Sequence, residues 1–184
     1  MKKIWICLAL AIALSLGSFA LAHAEEDPPR LIGEFSTVDI YGNEFDQSLI
    51  ASAPLTFVNI WGTFCPPCID EMPALGKLAE EFAGRVQFLG IVGDVNYGYG
   101  VDEDLVDLAV EIAEQTGAIS YTHLVPSDQL LEAPLSAIEA YPTSFFVDSE
   151  GRQFSIGYVG SRDEDSWREI IQAAINEMDI PKSE

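Results

Sequence analysis

The sequence predicts an α/β fold in which a β-sheet lies between layers of helices, and three observations support this prediction. Leu55–Trp61 and residues 86–94 are apolar runs of strand length, as expected of strands that are covered on both faces. Segments with one apolar helical face alternate with these runs along the chain. A hairpin and a closing helix then end the pattern, and this order is typical of a layered α/β domain.

The N-terminal half of this pattern contains a hairpin, a strand and a helix. Residues 34–45 alternate as two short strands would, and they turn at Gly42 and Asn43. The first apolar run is followed by a helix that is predicted to begin near Pro67 and to end at Gly84. The apolar residues on one face of this helix are Leu75, Leu78, Ala79 and Phe82. The second apolar run follows as another buried strand.

The C-terminal half continues the alternation of strands and helices. The predicted elements are a helix at residues 102–116, a short strand at 120–125, one short helix within 130–140, two antiparallel strands within 143–160, and a last helix at 163–178. Gly117 directly follows the first of these helices, as is typical of a helix C-terminus. The two antiparallel strands turn at residues 148–151, which end in a glycine.

Residues 1–24 are predicted to be a secretory signal peptide. Two lysines precede an apolar stretch at residues 4–21, and the Ala-His-Ala at 22–24 has the small-x-small pattern of a cleavage site. Cleavage leaves a flexible leader at residues 25–32 and a single domain at residues 33–180. The alternative is an uncleaved N-terminal membrane anchor, because an apolar stretch of this length comes close to spanning a bilayer.

The chain is strongly acidic, with 30 Asp and Glu residues against 9 Lys and Arg and a formal net charge of −21. Such a surface repels phosphate backbones and anionic lipid head groups. No nucleic-acid partner is therefore expected, and no stable membrane insertion after cleavage. The acidity is explained either by solubility in a salty or acidic medium or by attraction of basic client proteins.

The segment WGTFCPPCID places Cys65 and Cys68 three residues apart, with two prolines between them. Cleavage removes Cys7 and His23, so these two thiols and His123 cannot supply the four ligands of a closed zinc site. A structural disulfide stays open as an alternative, although closing so short a loop stabilises a fold weakly. Export places the pair in an oxidising compartment, where it is oxidised unless something keeps it reduced. Because a structural bridge at this spacing contributes little, redox chemistry is the better use of the two thiols.

The strings FVNIWGTFCPPCIDEMPAL and YPTSFFVDSEG, in this order, resemble exported thioredoxin-like proteins of the TlpA and ResA type, within the redoxin (AhpC-TSA) superfamily. The resemblance covers residues 33–178. It implies the thioredoxin fold with a central mixed β-sheet, an N-terminal β-hairpin and a central helix-strand insertion. It also implies thiol-disulfide exchange, with no cofactor besides the redox-active disulfide of Cys65 and Cys68.

The two cysteines have different predicted roles. A helix that begins near Pro67 places Cys65 at a helix N-terminus, where the dipole favours a thiolate. Cys65 is therefore the predicted attacking thiol, and Cys68, one turn inward, is the resolving thiol. Because Pro66 and Pro67 lack N–H groups, the Cys65 thiolate is less stabilised than in a strong oxidant, which favours a reductase. If the prolines only stiffen the loop, the redox direction stays open.

Glu71 is the predicted proton carrier. It lies three residues after Cys68 on the same helical face, and in ResA-type proteins the matching glutamate modulates the thiols. A buried carboxylate with a raised pKa could take the proton of Cys68 during exchange. A solvated glutamate on the helix surface is the alternative. Asn59 stands where the similar cytosolic thioredoxins have a buried aspartate, which strengthens the assignment to Glu71.

The resemblance further implies that Pro142 is a cis proline that faces the C-x-x-C pair, since cis bonds are essentially confined to proline. A trans proline that starts a strand is the alternative. Trp61 is predicted to be either plain core or a lid beside the sulfurs. The predicted substrate-binding residues are Trp61, Pro66, Pro67, Tyr141, Pro142 and Thr143.

Three functions fit these residues. The first is a reductase of disulfides in exported proteins, including apocytochromes before haem attachment, which relates the chain to cytochrome c maturation. The second is a disulfide oxidase or isomerase. The third is a non-catalytic thioredoxin-fold binding module, which two intact cysteines disfavour. A peroxidase of the peroxiredoxin group is disfavoured too, because its threonine lies three residues before the reactive cysteine and Thr63 lies two before Cys65.

The expected location is extracytoplasmic, either periplasmic or secreted. Exported thiol and disulfide proteins are the expected substrates. A reducing pair in an oxidising space must be recharged, so a membrane electron donor of the DsbD or CcdA type is also expected.

Overall fold

Seven strands and five helices form within residues 30–180, the part of the chain that the computed structural model describes. The strands are β1 Ser36–Val38, β2 Glu44–Asp46, β3 Leu55–Trp61, β4 Gln87–Val92, β5 Thr122–Leu124, β6 Thr143–Asp148 and β7 Tyr158–Val159. The helices are α1 Ser48–Ala51, α2 Pro66–Glu81, α3 Glu103–Thr116, α4 Asp128–Glu132 and α5 Glu164–Glu177. The predicted signal peptide at residues 1–24 lies outside the described residues.

A five-stranded mixed sheet, in the order β5-β4-β3-β6-β7, forms the centre of the fold. β3, β4 and β5 are parallel, because α2 and α3 each carry the chain back between successive strands. β6 is antiparallel to β3, and β7 is antiparallel to β6. This arrangement confirms the predicted thioredoxin fold, with the β1–β2 hairpin in front and the α3–β5 insertion in the middle.

β3 is the central strand, and all seven of its residues are buried. Phe57 and Trp61 pack in the core that contains α2 and α5, whereas Val58 and Ile60 pack in the core on the opposite face. Asn59 therefore points to the α2 side, because successive side chains of a strand point to opposite faces. An amide buried at this position needs hydrogen-bond partners inside the core.

The insertion between β4 and β6 differs in one element from the prediction. α3 begins as predicted, with the Asp102 side chain accepting from the N–H of Leu105, and it ends at Gly117 in the left-handed conformation at φ 76°. The short helix predicted within residues 130–140 corresponds to α4, which begins two residues earlier and is followed by a second helical turn that was not predicted. α4 ends at Glu132 and a separate 3₁₀ turn follows at Leu135–Ala137, because Pro134 has no N–H to donate to a continuous helix.

The last strand is shorter than predicted because of a bulge. Val147 bridges Gln153, and Ser144 pairs with Tyr158. Ser144 and Val147 are three residues apart on β6, whereas their partners Gln153 and Tyr158 are five residues apart. The two extra residues on the partner side therefore bulge out of the ladder. β7 consequently pairs over two residues only.

The hairpin covers the outer edge of β5. The N–H of Val125 donates to the Val38 carbonyl, and the N–H of Ile40 donates to the His123 carbonyl, each at 2.9 Å. β7 thus forms the other edge of the described sheet.

The segment before β1 packs against the β6–β7 turn. The N–H groups of Leu31 and Ile32 both donate to the Gly151 carbonyl, at 2.9 and 3.1 Å, and Ile32 is buried. The packed region therefore includes two residues that the sequence assigns to the leader. Between residues 30 and 180, no helix combines the length and the apolar character needed to cross a membrane.

Candidate active site

The two cysteines of the C-x-x-C motif form a disulfide at the start of α2. Cys65 caps this helix, and Pro66 and Pro67 occupy its first two positions. The Sγ atoms of Cys65 and Cys68 are 2.01 Å apart. Unpaired N–H groups and the helix dipole favour a thiolate at such a position.

The prolines limit the number of donors around the Cys65 sulfur. The N–H of Cys68 lies 3.3 Å from this sulfur and is the backbone donor that points at it in the described structure. Pro66 and Pro67 fill the two intervening positions and have no N–H to donate. The helix N-terminus therefore offers the sulfur fewer hydrogen bonds than it would with other residues in its first turn.

Both cysteines are largely covered. Cys65 is 5% exposed and Cys68 is 1% exposed, so Cys65 is the more accessible of the two residues although most of it is shielded. Next to it, Phe64 is 63% exposed, and Pro66 and Pro67 are also exposed. The exposed side chains on either side of Cys65 therefore form an apolar rim.

Glu71 is buried, which excludes the solvated helix-surface position. Three donors hold its carboxylate: the side-chain amide of Asn59 bonds Oε1 at 3.0 Å, while the backbone N–H of Arg162 and the indole N–H of Trp167 bond Oε2 at 3.1 and 3.0 Å. Burial raises the pKa of Glu71, and the hydrogen bonds and the Arg162 charge offset only part of this rise. Glu71 is three positions after Cys68 on α2, so both lie on one helical face.

Asn59 connects this carboxylate to the strand that follows Pro142. Its side-chain amide donates to Glu71 and also to the hydroxyl of Ser144, both at 3.0 Å. Ser144 lies on β6, directly opposite Asn59 in the ladder. The buried amide of Asn59 in the centre of β3 thus has hydrogen-bond partners on both α2 and β6.

The Tyr141–Pro142 peptide bond is cis, as predicted. Tyr141 meets Phe64, the neighbour of Cys65, in an edge-on ring contact at 5.8 Å between centroids, which brings this turn to the disulfide loop. Thr143 donates its hydroxyl to the Ala140 carbonyl at 2.7 Å. The phenol of Tyr141 lies over Gly93, where a Cβ would come within 2.3 Å of the phenol oxygen.

Trp61 is fully buried, in the same core as both cysteines. Its indole N–H donates to Nδ1 of His123 at 3.1 Å, while Nε2 of His123 lies 2.9 Å from the Ala118 carbonyl. Because an indole can only donate and a carbonyl can only accept, His123 carries its proton on Nε2. Burial lowers the pKa of His123 to about 4, so the ring is neutral at neutral pH.

Asp94 is a site residue that the sequence reasoning missed. Both of its carboxylate oxygens lie 3.0 Å from the N–H of Thr63, and Oδ2 also accepts from the Thr63 hydroxyl at 2.6 Å. These bonds fix the loop that leads to Cys65. The available signal was an acidic residue two positions after the end of a buried strand, since parallel strands β3 and β4 end at the same edge.

The remaining site residues missed from sequence are Arg162, Trp167 and Ser144, which all bond to the Glu71–Asn59 pair. No group of three or more histidine, cysteine, aspartate or glutamate side chains between residues 30 and 180 is arranged to hold a metal ion.

Comparison with known proteins gives consistent similarities. Residues 30–152 match the AhpC/TSA family. The thiol:disulfide interchange protein DsbE of Vibrio cholerae is 28% identical over 193 residues, covering 96% of this chain and 96% of the relative. The thiol-disulfide oxidoreductase ResA of Bacillus thuringiensis is 26% identical over 154 residues, covering 82% of each. A solved thiol:disulfide interchange protein of the thioredoxin family from Chlorobium tepidum has a TM-score of 0.66 at 25% identity, covering 83% of this chain and 99% of that one.

Proposed function

Because the chain belongs to the AhpC/TSA family and is a thiol-disulfide oxidoreductase with a Cys65–Cys68 redox pair, we propose that it reduces disulfides in exported proteins. The observation that supports this direction is the small number of donors at the Cys65 sulfur. Because Pro66 and Pro67 have no N–H, the Cys68 N–H is the backbone donor that points at this sulfur in the described structure. A thiolate with few donors is a stronger reductant, because the reduced form gains less stabilisation.

In the proposed cycle the Cys65 thiolate attacks one sulfur of a client disulfide. The client S–S bond breaks, a mixed disulfide forms through Cys65, and the second client sulfur leaves as a thiolate. Glu71 takes the proton of the Cys68 thiol, and the Cys68 thiolate then attacks the Cys65 sulfur. The mixed disulfide breaks, the Cys65–Cys68 disulfide forms, and the released client thiolate takes up the proton. Two electrons pass from the enzyme to the client.

We further propose that the enzyme works outside the cytoplasm on exported proteins. Cleavage of residues 1–24 would release the domain at residues 33–180 outside the cytoplasm, where its substrates are exported thiol and disulfide proteins. Apocytochromes before haem attachment are the proposed client class. A membrane dithiol donor of the DsbD or CcdA type would return two electrons to the oxidised pair after each cycle.

The direction is tested by the reduction potential of the pair in equilibrium with glutathione. We expect a value nearer the roughly −270 mV of thioredoxin than the roughly −120 mV of DsbA. A potential more oxidising than about −180 mV would replace the reductase function with the oxidase or isomerase function.

The order of attack is tested by trapping. Cys68→Ser removes the resolving thiol, so mixed disulfides with clients should accumulate through Cys65. Cys65→Ser should trap almost none, because Cys68 is the less exposed sulfur at 1%. The measurement is non-reducing electrophoresis of each variant with a disulfide-bonded client, followed by mass spectrometry of the linked peptide. Accumulation mainly through Cys68 would reverse the two assignments.

The role of Glu71 is tested by Glu71→Gln. The fold should persist, because the side-chain amide of Asn59 can flip. Its carbonyl oxygen would then accept hydrogen bonds from the NH₂ group introduced at position 71 and from the Ser144 hydroxyl. The pH dependence of the exchange rate should lose one inflection, since a titrating group near Cys68 is gone. Glu80→Gln, an exposed change on the same helix, is the matched control and should leave the profile unchanged. A wild-type profile in Glu71→Gln would remove Glu71 from the proposed cycle.

A further inference from the structure

Arg162 lies in the short connection between β7 and α5, and it contacts the buried carboxylate of α2. Its backbone N–H donates to Oε2 of Glu71 at 3.1 Å, although the two residues are 91 positions apart in the chain. Its side chain turns back, and Nη1 donates to the Gly160 carbonyl at 2.8 Å. Arg162 therefore meets Glu71 through its backbone while its side chain is held by its own segment.

The guanidinium of Arg162 also covers the second donor to the same carboxylate oxygen. Its central carbon lies 5.0 Å from the ring centroid of Trp167 and 5.1 Å from that of Tyr158. Trp167 donates its indole N–H to Oε2 of Glu71 at 3.0 Å. Oε2 of Glu71 thus accepts one hydrogen bond from the backbone of Arg162 and one from Trp167, on whose ring the Arg162 side chain stacks.

The guanidinium of Arg162 lies beside aromatic rings instead of surface carboxylates. Within residues 30–180 its guanidinium makes no ion pair with a carboxylate, whereas Arg168, six positions later, pairs with Glu81, Glu164 and Asp165 at 2.5 to 3.0 Å. The carboxylate on which the Arg162 charge acts is the buried one of Glu71. An arginine stacked on the ring that donates to a buried acid is near enough for its charge to favour the ionised form of that acid.

The same segment is bonded to the cis-proline turn. The N–H of Gly160 donates to the Pro142 carbonyl at 2.9 Å, and Gly160 has a φ of 84°, in the left-handed region that favours glycine. Its carbonyl accepts from Arg162. Residues 160–162 therefore connect the turn beside the disulfide loop to the carboxylate beneath it.

We propose that Arg162 is a positioning residue for proton transfer, which holds the Glu71 carboxylate in place through its backbone N–H and adds a positive charge that favours the ionised form. This inference rests on the proposed function, in which Glu71 takes the proton of Cys68. The other titratable groups that face Glu71 are Cys68 on α2 and Tyr121 beside β5. Burial raises the pKa of Tyr121, so its phenol stays neutral and Arg162 provides the charge.

The test is the titration of Glu71 in the variants Arg162→Met and Arg162→Lys. The titration is monitored through the NMR signal of the Glu71 carboxyl carbon in the oxidised full chain. Arg162→Met keeps an apolar stem over the rings and removes the charge, so the Glu71 midpoint should rise by about half to one pH unit. Arg162→Lys retains a positive charge and should restore most of the wild-type midpoint. The pH-rate profile of exchange should move with the NMR midpoint.

Two controls make the result specific. Arg168→Met removes an arginine that pairs with surface carboxylates and should leave the Glu71 midpoint unchanged. In the Glu71→Gln background, Arg162→Met should no longer change the pH-rate profile. An unchanged NMR midpoint in Arg162→Met, or an equal rise in Arg162→Lys, would overturn the proposal. A shifted midpoint without any change in the pH-rate profile would instead remove Glu71 from the proposed cycle and leave its control by Arg162 intact.

Discussion

Replacing Pro67 with histidine should make the Cys65–Cys68 pair markedly more oxidising. The change restores an N–H in the first turn of α2, where Pro66 and Pro67 now donate none. It also adds an imidazole that becomes cationic below a pKa of about 6.5. Both effects stabilise the Cys65 thiolate and so favour the reduced form of the pair.

The expected rise in reduction potential is about 30 mV or more, because 30 mV corresponds to about 1.4 kcal/mol, the free energy of one pKa unit. The potential is measured by equilibration with glutathione, and the Cys65 pKa by thiolate absorbance. Pro67→Ala restores the N–H without the cation, so it should give a smaller rise and separates the two contributions.

The size of the rise should depend on pH in the histidine variant only. Below the imidazole pKa of about 6.5 the charge adds to the restored N–H, and above it the N–H acts alone. An unchanged potential in both variants would mean that the prolines stiffen the loop without affecting the thiolate. The redox direction of the protein would then have to come from other groups.

Removing the Trp167 side chain should cause the largest loss of stability among the changes considered. Trp167 is fully buried, and its ring lies 5.0 Å from Phe57 and 5.7 Å from Tyr158 between centroids. Truncation of such a residue to alanine is expected to lower the free energy of unfolding by about 3–5 kcal/mol. Urea denaturation of the oxidised protein measures this loss.

Trp167→Phe isolates the hydrogen bond to Glu71. It keeps most of the ring and removes the indole N–H that lies 3.0 Å from Oε2 of Glu71. A hydrogen bond to a charged group contributes about 1.5–3 kcal/mol, and one to a neutral group contributes less, about 0.5–1.5 kcal/mol. The deficit should therefore be larger when Glu71 is ionised.

The sign of the pH dependence follows from the raised pKa of Glu71. The folded protein binds this proton more tightly than the unfolded chain, so the stability linked to Glu71 is full below the ordinary pKa of about 4.3 and is lost as pH rises through the folded value. Trp167→Phe raises the folded pKa further by removing a donor to the carboxylate. Its deficit should grow as pH rises through this window.

Trp61→Phe is the matched control, because Trp61 is equally buried and donates to His123, whose pKa of about 4 keeps it neutral through most of the window. Its deficit should stay nearly constant with pH. A constant deficit in Trp167→Phe as well would show that its bond does not depend on the charge of Glu71.

The sequence predicted the parts of the fold that local pattern determines. The uninterrupted apolar run of β3 identifies a buried central strand, and the spacing of Cys65 and Cys68 identifies the redox pair. The three-residue step from Cys68 to Glu71 places both on one face of a helix. These inferences need no knowledge of which elements meet in space.

The donors to Glu71 could not be predicted in this way. Trp167 and Arg162 lie 96 and 91 residues from Glu71, too far along the chain for local periodicity to indicate that they meet it. Asp94 and Thr63 meet across two strand ends, and Trp61 meets His123 through the inserted strand β5. Such contacts depend on sheet order, which hydrophobic patterns do not specify.

The bulge before β7 and the hairpin over β5 have a consequence for how the protein meets other extended chains. Exposed strand edges are templates on which another polypeptide adds a strand, and from which aggregates grow. At one edge, Val38 and Ile40 form backbone hydrogen bonds with Val125 and His123 and so cover β5. At the other edge, the outermost strand β7 is only two residues long. Another polypeptide with unpaired β-strands therefore finds almost no backbone to extend along the sheet edges within residues 30–180.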